Sequence, residues 1–455
     1  MQLVLAWCAL GLFFATAARV FGPRIAALST ALLLAYPTLA FYETKYLSAS
    51  LGVACNIAAL YAVARLPTEG PLRRGALWMV GLTAGLCVLA RPNLIVALPF
   101  TAWALWAMQR ARTNARQATR AVATVMVGVV LALAPMALRN VVVTGSATIT
   151  PSHGGGTSFY IGNGPDSNGR WNDAGGLLSG QVLLERSEVA RKLDIHEPPG
   201  AAQDAAIGRA LYARAWQHIR EQPGAWLALL AHKAWLTIGN HPFVHDYDMN
   251  GERELLGAHH LWGIPFGVLL ALGWLGLLAL WRTQRTLWWA LVGQLCAVLA
   301  ANVLVFTSAQ NRMPLAIPLA LAAGPGLMTL RDFARDVRDT FRPHVLALSV
   351  AALLLTQAFW PRLQSSGRPS SVHYFNLASI EELLGRNDAA LAHYAQAAQR
   401  KPDQPFFALR HAIMLRRTGH AERARAEARR GLALPHLDPA LTGALQSEAT
   451  RDASP

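Results

Sequence analysis

Ten apolar runs, each near the length of a bilayer-crossing helix, leave this chain little choice of fold. A helix needs roughly 17 to 25 mainly apolar residues to cross the hydrocarbon core. The stretches near 3–18, 25–42, 47–64, 75–90, 93–109, 121–138, 261–280, 286–307, 313–329 and 343–360 meet or approach that length. Of the 455 residues, 53% are hydrophobic and only 15% charged, a composition outside the soluble range. The expected class is all-α: a polytopic membrane helix bundle. The first run has no basic region before it, and Arg19 and Arg24 follow it, so it reads as a membrane helix rather than a secretion signal.

Charge sets the expected orientation. Arg19 and Arg24, then Arg65, Arg73 and Arg74, then Arg110, Arg112, Arg116 and Arg120, then Arg282 and Arg285, then Arg331, Arg335, Arg338 and Arg342 fall in alternate loops. Loops rich in arginine stay on the cytoplasmic side, so these are assigned inside. The long polar segment 139–260 is then outside. This distribution also accounts for the formal net charge of +15 without a nucleic-acid partner. By the same count Met1 starts outside, and a helix preceding it is expected to be missing. The four cysteines, Cys8, Cys55, Cys87 and Cys296, all lie within apolar runs, with no paired spacing, and read as small core residues.

On the outer side a lone cation is informative, because topology does not require it and desolvation penalises it. Lys45 in FYETKYLSAS, Arg91 in LARPN, Arg139 in ALRN and Arg312 in SAQNRMPL stand at the outer ends of four expected helices. Each alone could snorkel to headgroups. Together they suggest one outward cavity that holds a phosphate or pyrophosphate, with a lipid tail among the helices. Glu43, two residues from Lys45, is the nearby carboxylate.

A glycine-rich polar string, SHGGGTSFYIGNGPDSNG at 152–169, follows the sixth run. Its glycines permit close approach to a ligand, Asn163, Asp166 and Asn168 can bond sugar hydroxyls, and Tyr160 can stack on a sugar face. Asn93 and Asn140, each close to one of the outer cations, complete the sugar or acceptor candidates. The alternative is a turn string that only folds the outer segment. It is not a Walker loop, since no GK[ST] follows. Asp166 is a candidate ligand for a divalent metal, but no second carboxylate is spaced to join it, and no other cofactor is expected. His241 and His245 with Asp246 form a loose set better read as polar loop. Residues 175–235 carry apolar positions at helical spacing and are expected to lie as amphipathic helices on the outer surface.

These stretches together resemble the GT-C membrane glycosyltransferases. The string ALRNVVVTGSATITPSHGGGTSFYIGNGPDSNGRW, with YPTLAFYETKYLSASLGV, GLTAGLCVLARPNLIVALPF and FTSAQNRMPL, is similar to the bacterial branch near the protein mannosyltransferases and the aminoarabinose lipid transferase, of the family 39 type. The resemblance runs from residue 1 to about 330. It implies transfer of a sugar from a polyprenyl phosphate to a lipid, glycan or protein acceptor, usually with inversion, on the outer face of the bacterial cytoplasmic membrane. It implies donor phosphate binding by Lys45, Arg91, Arg139 and Arg312, with Glu43 as the remaining catalytic carboxylate. The chain departs from the family in three places. A first helix and its aspartate loop are absent, so the chain as written is expected to be weakened or inactive. LSAS stands where relatives have LSE, and SAQNRMP keeps Arg312 but loses a basic residue to Gln310.

After the tenth run, 363–372 reads as a linker that closes the membrane domain at 1–362. Residues 373–455 fit about two tetratricopeptide-like repeats, with Gly385, Ala390, Tyr394, Ala397 and Pro402 in the packing positions and Gly419 and Ala424 about 34 residues on. So few repeats are expected to pack on a protein partner or on the membrane domain. Two further readings remain open: a non-catalytic scaffold that recruits envelope proteins, and a lipid or polysaccharide transporter.

Overall fold

The computed structural model describes residues 2–335, 348, 350–355 and 371–451, apart from 46, 68–71, 146–147, 151–153, 179–184, 242, 244, 246, 248, 250–251, 253–262, 435–436 and 438. Most of the expected run at 343–360, most of the linker at 363–372, and Asp246 lie outside the described residues. The described chain is helical, and its one isolated bridge pairs Arg170 with Thr307. It is a multi-pass membrane protein by helix length and composition.

Among the described residues five helices are long and apolar enough to cross a membrane: α1 (Gln2–Phe21), α7 (Ala115–Thr144), α12 (Phe266–Thr283), α13 (Arg285–Leu304) and α14 (Ala309–Arg335). α2 (Pro23–Leu34) and α3 (Pro37–Glu43) meet at 66° and together have the length and composition of one further span, broken or re-entrant. Two more runs form shorter apolar helices of 17 residues, α4 (Ser48–Ala64) and α5 (Arg74–Ala90). The run at 93–109 divides into a 3-10 turn, Pro92–Val96, and α6 (Ala97–Arg110). Hydropathy counts apolar residues, whereas proline decides where the helices stop. Pro37 and Pro92 lack the N–H and disfavour helical geometry in the residue before them.

At the α2–α3 break the carbonyl of Ala35 accepts from the N–H of Ile264 at 2.7 Å. That approach depends on Gly263, where a Cβ would stand 2.5 Å from the same oxygen. A broken helix in an apolar medium requires such substitute partners for its backbone.

Small residues set the helix spacing. α12 and α14 pack against each other most extensively, and a Cβ at Gly276 would fall 1.8 Å from the Ala322 carbonyl. α5 meets α7 in the same manner at Gly81. Lipid offers no hydrophobic drive for association, so close backbone contact supplies the attraction. α14 is the central helix, buried along nearly its whole apolar length despite Pro314, Pro318 and Pro325. The helices α8 (Gly155–Asn163), α10 (Ala201–Glu221) and α11 (Pro223–Ile238) complete this part of the chain.

Contacts divide the chain into two compact units. The first comprises 1–172, 204–243 and 262–364, and the second 173–203, 244–261 and 365–455. In the second, α9 (Glu185–Lys192) precedes two helical hairpins, α15 (Ser371–Leu383) with α16 (Asn387–Arg400) and α17 (Pro405–Arg417) with α18 (Ala421–Leu432), and then α19 (Pro439–Thr450). Ala390, Tyr394, Ala397 and Ala424 are buried, and Gly385 and Gly419 turn the chain after α15 and α17 at φ of 73° and 84°. Lys401 bonds the carbonyl of Leu178 and pairs with Asp173 at 3.3 Å, which ties part of the long polar segment to these hairpins.

Candidate functional site

Arg91 caps the end of α5. Its N–H still bonds the Cys87 carbonyl at 2.9 Å, while Pro92 holds it extended at φ −142° and ψ 90°. Its side chain lies across α4 at Gly52, where a Cβ would stand 2.5 Å from the Arg91 Cγ. From there the guanidinium donates to Asn311 Oδ1. Asn311 is aimed by its surroundings: its N–H bonds Ser308 Oγ at 3.1 Å and its Nδ2 donates to the Phe306 carbonyl at 3.3 Å.

The next residue is Arg312, in the first turn of α14. It is 1% exposed, it donates from Nη1 to the carbonyl of Gly239, and its guanidinium lies 4.5 Å over the ring of Phe266. Its Nε is buried with no hydrogen-bond partner, and no carboxylate pairs with it among the described residues. A buried cation without an anion is costly. Such a residue is a candidate for an ion or ligand path. Asn311 therefore ties Arg91 to the first turn of α14, where Arg312 is the next residue.

The Phe266 ring sits 6.1 Å from that of Tyr36, which opens α3. At the other end of α3, the Glu43 carboxyl bonds Ser50, and its Oε2 is buried with no partner among the described residues. Gln2 donates to Ser50 Oγ at 2.7 Å and to the Lys45 carbonyl at 2.6 Å, so α1 pins this corner. The Lys45 ammonium lies 4.5 Å over the Phe41 ring. Arg139, by contrast, is exposed on α7 and bonds its neighbour Asn140 at 2.9 Å. Asn140 is 1% exposed and donates to the carbonyls of Thr148 and Thr150, which folds the loop after α7. Asn93 is half-buried in the 3-10 turn after Arg91.

The glycine string was expected to be a loop, and its residues Gly155–Asn163 form helix α8. Its glycines approach protein. A Cβ on Gly156 would stand 2.1 Å from the Gly208 carbonyl of α10, and one on Gly162 would stand 1.8 Å from the Val305 carbonyl. Asn163 is likewise committed: Oδ1 accepts from Lys233 Nζ and Trp226 Nε1, both at 3.0 Å, and Nδ2 donates to Leu304 and Phe159 carbonyls at 2.9 and 3.0 Å. That leaves its amide no capacity for a sugar. Tyr160 is half-buried and Asp166 exposed. Burial raises the Tyr160 hydroxyl above the usual tyrosine range, Arg214 opposes this, and Asp166 adds to it, so the three lie within electrostatic reach. Among the described residues no group of three side chains could hold a metal.

Lys233 on α11 was not singled out in the sequence. It is wholly buried, and burial lowers its amine to about 7. A single lysine in the apolar LALLAHKAWL looks like a snorkelling residue, and only its bond to Asn163 shows otherwise.

A cavity of about 100 Å³ opens among α4, α5, the 3-10 turn, α6 and α13, lined mainly by apolar side chains, with Asn56, Thr101 and Gln294 as its polar points and without Arg91 or Arg312 in its lining. Cys87, one turn before Arg91, is on its wall.

No protein-family model matches the chain, and no curated protein matches it. Among solved structures, the apo oligosaccharyltransferase of Archaeoglobus fulgidus is similar at 13% identity and a TM-score of 0.36, over 83% of this chain and 46% of that one. This chain thus spans less than half of that enzyme's length.

Proposed function

We propose that this chain is a membrane glycosyltransferase of the GT-C kind, which takes a sugar from a polyprenyl phosphate. The observation that carries the reading is Arg312, buried without an acidic partner among the described residues, its Nε open, and next in the chain to Asn311, which binds Arg91. Two guanidiniums so placed suit the oxygens of a phosphate ester. A scaffold would have no use for such a costly pair.

In the reaction the donor phosphate lies against Arg91 and Arg312, with Lys45 beside them, and the first isoprene units occupy the cavity next to Cys87. Tyr160 and Asp166 contact the sugar or acceptor. The acceptor hydroxyl gives its proton to the open oxygen of Glu43 and attacks the anomeric carbon from the side opposite the phosphate. The bond from that carbon to the phosphate oxygen breaks, its electron pair leaves with the phosphate, and the arginines balance the charge. General-base help of this kind contributes about 10² to 10⁴ in rate. The setting is a bacterial cytoplasmic membrane with the site on the outer face, and the C-terminal hairpins take a protein partner.

The test is sugar transfer by the purified protein in lipid nanodiscs from a polyprenyl-phosphate sugar. Arg312→Ala should lower kcat/KM roughly 10- to 100-fold, the loss of one hydrogen bond to a charged group. Transfer at the wild-type rate in this variant would remove the proposal.

A further inference from the structure

We infer that Lys233 is a positioning residue for Arg312, acting along the last turns of α11, and that the donor-phosphate site thereby responds to protonation. The inference rests on the proposed phosphate site and adds its control.

The path is short and continuous. Lys233 Nζ donates to Asn163 Oδ1 at 3.0 Å, and Asn163 in turn donates to the Leu304 carbonyl at 2.9 Å, so the amine joins α11 to the end of α8 and to the last residue of α13. One turn on, the Thr237 hydroxyl shares a 2.8 Å bond with Thr307, and Thr307 also donates to the Lys233 carbonyl at 3.3 Å. α11 then ends at Gly239, whose carbonyl accepts from Arg312. The oxygen that fixes the buried guanidinium is therefore held in place by the helix that Lys233 anchors.

The anchor is made for an uncharged amine. Lys233 has zero exposure, and the acceptor found for it, Asn163 Oδ1, is already shared with Trp226. The ionisable groups on the elements around it are His232 on α11, Tyr160 on α8, Asp166 and Arg170 on the segment after α8, and Arg312 on α14. The last two turns of α13 bear none. No carboxylate pairs with Lys233 among the described residues, and burial first, then Arg170, disfavours charge on His232 beside it. A proton on the amine leaves a buried cation with, among the described residues, one neutral acceptor, a state that water entry or movement of α11 relieves. Either response displaces Gly239 from Arg312. The lowered amine value of about 7 sets where this occurs.

The experiment measures binding of a polyprenyl monophosphate to the full chain in nanodiscs between pH 6 and 8, with hydrogen exchange of residues 233–239 and 308–312 followed in parallel without ligand. Wild type should bind roughly tenfold more weakly at pH 6, the loss of one hydrogen bond to a charged group, and both segments should lose protection. Lys233→Gln keeps a donor and cannot titrate, so its exchange should stay level and its binding should keep only the smaller pH dependence that the ligand phosphate, with a second pKa of about 6, brings to every variant; Lys233→Met should behave in the same way. A pH response in the Gln or Met variants equal to wild type, or level exchange in wild type, overturns the inference. Those outcomes leave the phosphate site standing; wild-type binding by Arg312→Ala would defeat that site, while the exchange measurement still decides the role of Lys233.

Discussion

Arg91 and Asn311, 220 positions apart in sequence, are joined by a buried hydrogen bond that sets one guanidinium beside the residue preceding another. The bond ties the end of α5 to the first turn of α14, which carries Arg312. Asn311→Ala removes the acceptor and leaves Arg91 without this restraint. Binding of a polyprenyl monophosphate should weaken about tenfold, the worth of one charge-assisted bond. Equilibrium binding in nanodiscs checks it, and unchanged affinity would detach Arg91 from the site.

The contact of α12 with α14 has no room for a side chain at Gly276, where a Cβ would fall 1.8 Å from a backbone oxygen. Gly276→Leu should force the helices apart and cost roughly 1 to 3 kcal/mol. Thermal unfolding in detergent should show the loss as a lower Tm, and an unaltered Tm would contradict the packing described.

Lys233 also predicts a pH dependence of stability. An exposed lysine releases its proton near 10.5, whereas the buried amine does so near 7. The unfolded chain therefore holds more protons between these values, and stability rises with pH across that window. The handicap is fully present below about pH 7 and disappears towards 10.5. Lys233→Met should accordingly stabilise the protein below pH 7, on the order of a few kcal/mol, with the gain shrinking at higher pH. Chemical denaturation at several pH values reads this out.

Glu427 behaves in the opposite sense. Burial alone would raise its carboxyl, but hydrogen bonds from His411 and Arg430, and their charges, bring it to about 2 from an ordinary 4.5. The stabilisation is present above about 4.5 and lost as the pH falls through 2. Glu427→Gln should therefore loosen the α17–α18 hairpin at neutral pH by roughly 2 to 3 kcal/mol, and the difference from wild type should close in acid. Hydrogen exchange within α18 is the readout.

Much of the bundle could be read from hydropathy, because an apolar run in a bilayer has helix as its solution. Hydropathy is silent on backbone breaks, so the 66° bend after Leu34 and the division at Pro92 had to come from coordinates. Arg91 and Arg312 stood out because each is a lone cation in a stretch where the alternation of arginine-rich loops does not call for one. Asn311 and Gly239 carried no comparable signal, since an asparagine and a backbone carbonyl become functional only through what approaches them. The glycine string misled on its local structure. Glycine allows close approach, but only coordinates say whether the approaching group is a ligand or, as at Gly156 and Gly162, another stretch of backbone.

The most direct measurement compares the affinity of the purified full chain for a polyprenyl monophosphate with that for the uncharged polyprenol, in wild type, Arg91→Ala and Arg312→Ala. Wild type should prefer the phosphate by at least about tenfold, and both variants should lose that preference while retaining wild-type helix content. Equal preference in all three proteins would show that these buried guanidiniums do not hold the carrier's phosphate.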